Sequence, residues 1–196
     1  MISDDPIPST LTTFTASDGE NLAVQDWPLP EGEPCRGTVL LVHGLGEHVG
    51  RYDAVARRLN DWGFAVRGYD QYGHGESGGP RGGLTSDLRL LDDLADPLCH
   101  DRISARLARF IANGGAATVA RAAHWSVPTL LMWAGSDKQV HPAGSRAFAA
   151  AAPKAVVHAH CFEPLFHELF NESPELAEPV FDLLQQWLVR RCPAVR

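Results

Sequence analysis

The sequence predicts an α/β fold, a mainly parallel sheet of about six strands with helices on both faces, and three observations predict it. Val39–Val42 is an unbroken apolar run, partly β-branched and bounded by Gly37 and Gly44, the pattern of a strand buried on both faces. Apolar strand-like runs are separated by stretches of helical period, an order that calls for parallel strands joined by right-handed crossovers. The chain closes on Pro174–Arg191, where Leu176, Val180, Leu183, Leu184 and Trp187 recur at helical spacing and are expected to face inward.

Taken in order, residues 12–28 read as a hairpin, with T-T-F-T-A-S on one side, Asn21–Trp27 on the other and Asp18-Gly19 as the turn. Pro28, Pro30 and Pro34 close that unit. The Val39 strand ends in a glycine-rich turn. Arg51–Trp62 follows as a helix with Val55, Leu59 and Trp62 on one face and Gly63 as its C-terminal stop. Phe64–Tyr69 is the next strand. Asp70–Gly83 is a long glycine-rich loop, of the kind that in a compact domain is usually functional or disordered. Ser86–Leu94 has a short apolar stripe, Pro97 interrupts it, and Arg102–Ala123 is helical in two pieces broken near Gly114-Gly115. Thr129–Trp133 and Ala155–Cys161 are strands on either side of an alanine-rich helix, Pro142–Ala152. A single domain over residues 1–196 is expected.

With 196 residues, the chain is long enough to bury a real core. The net charge of −7, with both signs interspersed and no basic stripe, argues against a nucleic-acid partner. No apolar run approaches the length of a membrane span, so no stable membrane insertion is expected. The start, M-I-S-D-D-P-I-P, lacks a basic region followed by an apolar one, so no signal peptide is expected. Cys35, Cys99, Cys161 and Cys192 are widely spaced, which fits reduced thiols and a cytoplasmic setting.

Chemistry concentrates where strands end. In V-L-L-V-H-G-L-G-E-H-V-G, Gly44 and Gly46 leave backbone N–H groups free to turn toward an anion. Asp137 follows one late strand in A-G-S-D-K-Q-V, and His167 follows the last in L-F-H-E-L-F-N-E. An acid and then a histidine after successive late strands is the order of the final two members of a Ser-Asp-His triad.

The segments L-V-H-G-L-G-E-H-V-G-R-Y, G-Y-D-Q-Y-G-H-G-E-S-G-G-P-R-G, V-P-T-L-L-M-W-A-G-S-D-K-Q-V and H-E-L-F-N-E resemble the monoacylglycerol lipase and lysophospholipase branch of the α/β-hydrolase family. The resemblance implies a serine hydrolase of carboxylic esters that needs no cofactor and no metal. It assigns the histidine-orienting role to Asp137, the general base to His167 and an oxyanion-hole N–H to Leu45, with His43, Gly44 and Gly78 in the same binding set. Tyr72 stands where the family usually has arginine. Between Leu94 and Asp96-Pro97 the family has a strand, the nucleophile elbow G-x-S-x-G, a further helix and strand, and most of a lid. None of these has a counterpart here, and residues 96–125 read as a helical remnant of the lid region. Two β–α units of about 30 residues each plus a lid account for the short chain.

Closing the family's strand order 1-2-4-3-5-6-7-8 over that gap gives 1-2-4-3-7-8. Asp137 and His167 would then move toward the His43 turn by about 9 to 10 Å, two inter-strand spacings. Gly75-Glu76-Ser77-Gly78-Gly79 matches G-x-S-x-G at the right lateral offset, which makes Ser77 the best available nucleophile. Ser77 lies well past Asp70, however, too far for the tight strand-to-helix turn of an elbow. Ser136, Ser145 and Cys161 are weaker candidates. His158 and His160 share a strand face without a convincing third ligand, so their metal reading yields to a structural one.

The function expected is hydrolysis of small or short-chain carboxylic esters by an Asp-His pair with a non-standard nucleophile. The alternative is a catalytically inactive hydrolase-fold remnant that binds a ligand or partner. A homodimer is a further expectation, because a shortened sheet leaves an edge or apolar surface to cover.

Overall fold

A computed structural model describes residues 8–16, 19–82 and 105–193. The chain divides into two compact units, Met1–Phe110 with Cys192–Arg196, and Ile111–Arg191. The segment Ser86–Leu94 and the start of the expected lid remnant lie outside the described residues.

In the first unit, β1 (Thr10–Thr15) and β2 (Asn21–Trp27) form the expected hairpin, paired antiparallel from Thr10 with Asp26 to Thr15 with Asn21. β2 also runs antiparallel to β4 (Phe64–Tyr69), and β4 runs parallel to β3 (Gly37–Val42), in the order β1-β2-β4-β3. Between β3 and β4 comes α1 (Asp53–Asp61), the crossover that parallel strands require. Its inner face buries Val55, Ala56 and Leu59, and Phe64, Val66 and Trp27 of the sheet are buried with them. Full burial of a side chain such as Leu59 or Phe64 contributes about 1.5–3 kcal/mol. Polar contacts set the angle of the helix: Trp27 Nε1 donates to Asp53 at 2.8 Å, and Asn60 Nδ2 donates to the carbonyls of Trp27 and Phe64 at 3.1 and 2.9 Å. Gly63, at φ 84°, ends α1 with its N–H on Asn60 O at 2.8 Å, a conformation that a side chain would strain.

In the second unit, α2 (Ala105–Arg121) enters from the first and is one continuous helix, not two. It runs through Gly114-Gly115, with the Thr118 hydroxyl donating to Gly114 O at 2.8 Å. A pair of glycines lowers helix propensity by about 1 kcal/mol each, which weakens a helix without breaking it. β5 (Thr129–Ala134) and β6 (Val157–Phe162) pair in parallel across α3 (Ala143–Ala151), and α4 (Pro174–Arg191) closes the chain. Two apolar clusters hold this unit. One joins Ala122, Phe148, Ala152 and Val157, with Trp125 edge-on to Phe148 at 5.3 Å. The other joins Ala134, Leu165, Leu169 and Val180.

Three details differ from expectation. Among the described residues the strands fall into two sheets, β1-β2-β4-β3 and β5-β6. β3 is the last strand of the four-stranded sheet, and its side chains alternate in burial, with Leu40 57% and Val42 39% exposed instead of covered on both faces. On α4 the buried positions are Ala177, Val180 and Phe181, and Leu176 is exposed.

Candidate functional site

Asp137 and His167 are brought together by the second unit alone. Ala134 and Phe162, the last residues of β5 and β6, are register partners, so both residues lie in loops that leave adjacent parallel strands at one end. The loops are fastened to each other: Gly135 N–H donates to Phe162 O at 2.9 Å, Ser136 N–H to Leu165 O at 3.1 Å, and the Ser136 hydroxyl to Glu163 O at 2.8 Å. Any Cβ at Gly135 would fall 2.5 Å from Glu163 Cα, which explains the glycine in A-G-S-D. Leu165, fully buried beside Val180, anchors the second loop just before the histidine.

His167 Nδ1 hydrogen-bonds Asp137 Oδ2 at 2.8 Å. The other carboxylate oxygen accepts the N–H groups of Gln139 and Val140 at 2.8 and 2.9 Å. Partial burial works to raise the Asp137 pKa, but the hydrogen bonds from Val140, His167 and Gln139 prevail and hold it below the usual carboxylate value. An ionised Asp137 accepting at Nδ1 requires that nitrogen to carry the proton, so neutral His167 presents a basic Nε2. That ring is 40% exposed, and Nε2 has no hydrogen-bond partner among the described residues. The carboxylate thus fixes the ring and leaves its second nitrogen outward.

In the first unit, β3 and β4 end on the register pair Val42 and Tyr69, so the His43–Gly50 and Asp70–Gly79 loops start side by side. The expected oxyanion and binding residues prove to be of two kinds. Leu45 is 49% exposed and its N–H has no partner among the described residues. His43, Gly44 and Gly78 are engaged. His43 is buried, with Nδ1 against Gly44 O at 2.8 Å and Nε2 accepting from Gln71 N–H at 3.3 Å. Burial lowers its pKa, against the hydrogen bond to Gly44 and the charges of Asp70 and Glu47, so it is a neutral brace. Gly44 N–H donates to the Glu47 carboxylate at 2.9 Å, which also takes the Tyr52 hydroxyl at 3.2 Å. Gly78 N–H donates to Asn21 O at 2.8 Å, fastening the second loop to β2.

Ser77 is 5% exposed. Its hydroxyl donates a short hydrogen bond to Asp70 O and accepts the N–H of Ala23 at 2.8 Å. The proton that a base would remove is thus held by a carbonyl and one lone pair by an amide, the opposite of the exposed hydroxyl of an elbow. Among the weaker candidates, the Ser136 hydroxyl is the loop fastener described above. Cys161 Sγ lies 3.3 Å from Glu163 Oε1, and burial, then Glu163, pushes its thiol pKa up. His160 packs on Phe162 with ring centres 4.4 Å apart. No cluster of three or more His, Cys, Asp or Glu among the described residues could hold a metal ion. No helix among them is long and apolar enough to cross a membrane.

Sequence reasoning passed over Glu47, Asp70 and Gln71, which do most of the bonding around His43. The signal was present in H-G-L-G-E-H and in the D-Q that follows β4, since polar residues beside a buried strand end must find partners.

Comparison with known proteins places the chain in a family. A family model described as serine aminopeptidase S33 matches in two pieces, residues 33–96 and 94–174. An uncharacterised abhydrolase domain-containing protein of Dictyostelium discoideum is 41% identical over 86 residues, 44% of this chain and only 9% of that protein. The monoacylglycerol lipase of Mycolicibacterium smegmatis is 22% identical over 272 positions, covering 90% of this chain and 96% of that enzyme. That span exceeds the 196 residues present, so the alignment bridges positions that have no residue here. The crystal structure of Paleococcus ferrophilus monoacylglycerol lipase superposes with a TM-score of 0.69 at 22% identity, covering 94% of this chain and 99% of that one. With its strand-end dyad, its His-Gly loop and the two-piece match, the chain belongs to the serine aminopeptidase S33 family of α/β hydrolases, on the monoacylglycerol-lipase-like branch.

Proposed function

We propose that the chain hydrolyses small carboxylic esters, with His167 as general base, Asp137 as the residue that orients it, and the Leu45 N–H as a donor to the developing oxyanion. One observation carries the reading: His167 Nδ1 is held by Asp137 at 2.8 Å while Nε2 stays open. A base so arranged takes a proton from an attacking oxygen and returns it to the leaving alcohol. Relatives and fold neighbours named as monoacylglycerol lipases support ester chemistry. Without most of a lid, apolar cover for a long acyl chain is reduced, which favours short esters over glycerides.

The attacking oxygen comes from Ser77 or from water. Ser77 attacks only after releasing both Asp70 O and Ala23 N–H. Water activated directly by His167 needs no such release but forgoes the covalent route and is slow. The engaged state of Ser77 also favours a second reading, a binding protein that retains the dyad without turnover.

A fluorophosphonate probe with peptide mapping, run beside p-nitrophenyl acetate turnover, separates the three. Label at Ser77 that vanishes in His167→Ala supports the serine route. Turnover without label, lost in the same variant, supports water. Neither label nor turnover above buffer leaves the binding reading and removes the enzyme.

A further inference from the structure

We infer that Asp70 is a positioning residue that locks the His43–Gly50 loop to the Asp70–Gly79 loop and thereby fixes the segment carrying the Leu45 N–H. The inference deepens the ester-hydrolase reading and rests on it only for the use made of that N–H.

The argument begins with the end of β4. Asp70 is the first residue past Tyr69, its own N–H returns to Ala23 O at 2.8 Å, and its side chain is buried. A carboxylate in such a place needs strong donors, and each oxygen has one from a different loop. Oδ1 accepts the N–H of Val49 at 2.8 Å, and Oδ2 accepts the N–H of Glu76 at 2.9 Å. Val49 is fully buried and opens the turn at Val49–Tyr52, so its amide is the far anchor of the loop that begins at His43. The near anchor is Gln71, next to Asp70, whose backbone N–H meets His43 Nε2 and whose side-chain amide donates to His43 O at 2.6 Å. Two consecutive residues therefore hold both ends of the His43–Val49 span.

Neighbouring residues are shaped around this carboxylate. Gly75 has φ 51°, and a Cβ there would lie 1.8 Å from Asp70 Oδ2, so only glycine fits beside it. Ser77 binds the Asp70 carbonyl and the Ala23 amide, tying the same residue to β2. The G-E-S-G-G match is thereby explained as the brace of a clamp: its serine holds the residue that holds the loop. Asparagine at position 70 would keep one acceptor but turn an N–H₂ toward a backbone N–H, breaking one arm of the clamp while preserving shape.

The test is solution NMR on the 196-residue chain, comparing wild type, Asp70→Asn and Ser77→Ala. In wild type, trans-hydrogen-bond couplings are expected from the Val49 and Glu76 amide nitrogens to Asp70 Cγ. In Asp70→Asn, amide exchange at Val49 or Glu76 is expected to rise at least tenfold and the Leu45 amide resonance to broaden or split, while Leu41 and Val66 in the sheet keep their protection. Ser77→Ala is expected to retain both couplings. Absence of the couplings in wild type overturns the inference even if Asp70→Asn does not fold. A uniform loss of protection across β3 and β4, or a Leu45 resonance that does not change, also overturns it, since a merely structural residue would behave so. Failure of ester turnover sinks the proposed activity without altering any of these signals.

Discussion

The two loop pairs at strand ends are solved in opposite ways. In the first unit, the His43–Gly50 and Asp70–Gly79 loops spend their polar groups on each other: His43, Asp70, Gln71 and Ser77 are all buried and bonded. In the second, Asp137 is equally well bonded, yet it delivers His167 to the surface with Nε2 open. Bond counting alone does not separate the two. What differs is the kind of group that each network leaves open. The first network ends in the exposed Leu45 amide, a donor, and the second in an imidazole nitrogen, a base. Each unit thus leaves a polar group open, and of the serines singled out as nucleophile candidates Ser77 and Ser136 have their hydroxyls bonded.

The largest effect that would break the comparison is chemical. Asp137→Asn keeps the loop shape but permits the other His167 tautomer, so ester turnover is expected to fall by about 10³ to 10⁴. The urea midpoint should change far less than the activity, because an asparagine Oδ1 still accepts the Gln139 and Val140 N–H groups. Equal losses of activity and stability would show that the dyad is a structural bond like those of the first unit. Next comes Gly75→Ala, which places a methyl group on the Asp70 carboxylate at a positive φ. It should cost about 2–4 kcal/mol in urea unfolding of the first unit. Gly144→Ala is the control, since a Cβ at that helical position meets nothing within 4 Å, and it should be neutral or mildly stabilising.

How far the sequence could be read follows the same division. The hairpin, the β3-α1-β4 crossover and the β5-α3-β6 unit were all legible because each follows from local period and turn chemistry. Asp137 with His167 was legible because the fold puts their loops at adjacent strand ends, and the 2.8 Å bond was the natural outcome. The covering of β3 was not legible. Val39–Val42 reads the same whether one face is packed or both, so its burial was an inference about what lies over it, and Leu40 and Val42 share the exposed face. Nor does the pattern G-x-S-x-G encode its own context. The same letters serve as an elbow after a short strand end or as a brace when Asp70 curls back over them, and only the hydrogen bonds tell these apart.

Two smaller predictions sharpen the first unit. Ser77→Ala removes a hydroxyl that both donates and accepts in a buried place, leaving Asp70 O and Ala23 N–H unanswered. A loss of about 1–3 kcal/mol is expected by urea denaturation. If ester turnover survives in this variant, water and not Ser77 supplies the attacking oxygen.

The last effect is a pH dependence. Burial holds the His43 pKa below its ordinary value, with Asp70 and Glu47 opposing and His48 assisting, so the unfolded chain binds a proton at position 43 more readily than the folded one. Stability from this group is therefore fully present above the unfolded value of 6.5 and declines as pH falls from there toward the lower folded value. The urea midpoint of the first unit should drop between pH 7.5 and pH 5.5, and His43→Gln, which has no proton to gain, should flatten that drop while lowering stability at both ends. The second unit behaves otherwise through its dyad. Asp137 has its pKa depressed, so its contribution holds throughout this range and fades only at lower pH, as the carboxylate is protonated. Unfolding of the two units followed by separate tryptophan probes, Trp27 in the first and Trp125 in the second, would then show the first weakening before the second as acid is added. The opposite order would mean that the His43 network is not the neutral, closed brace described here.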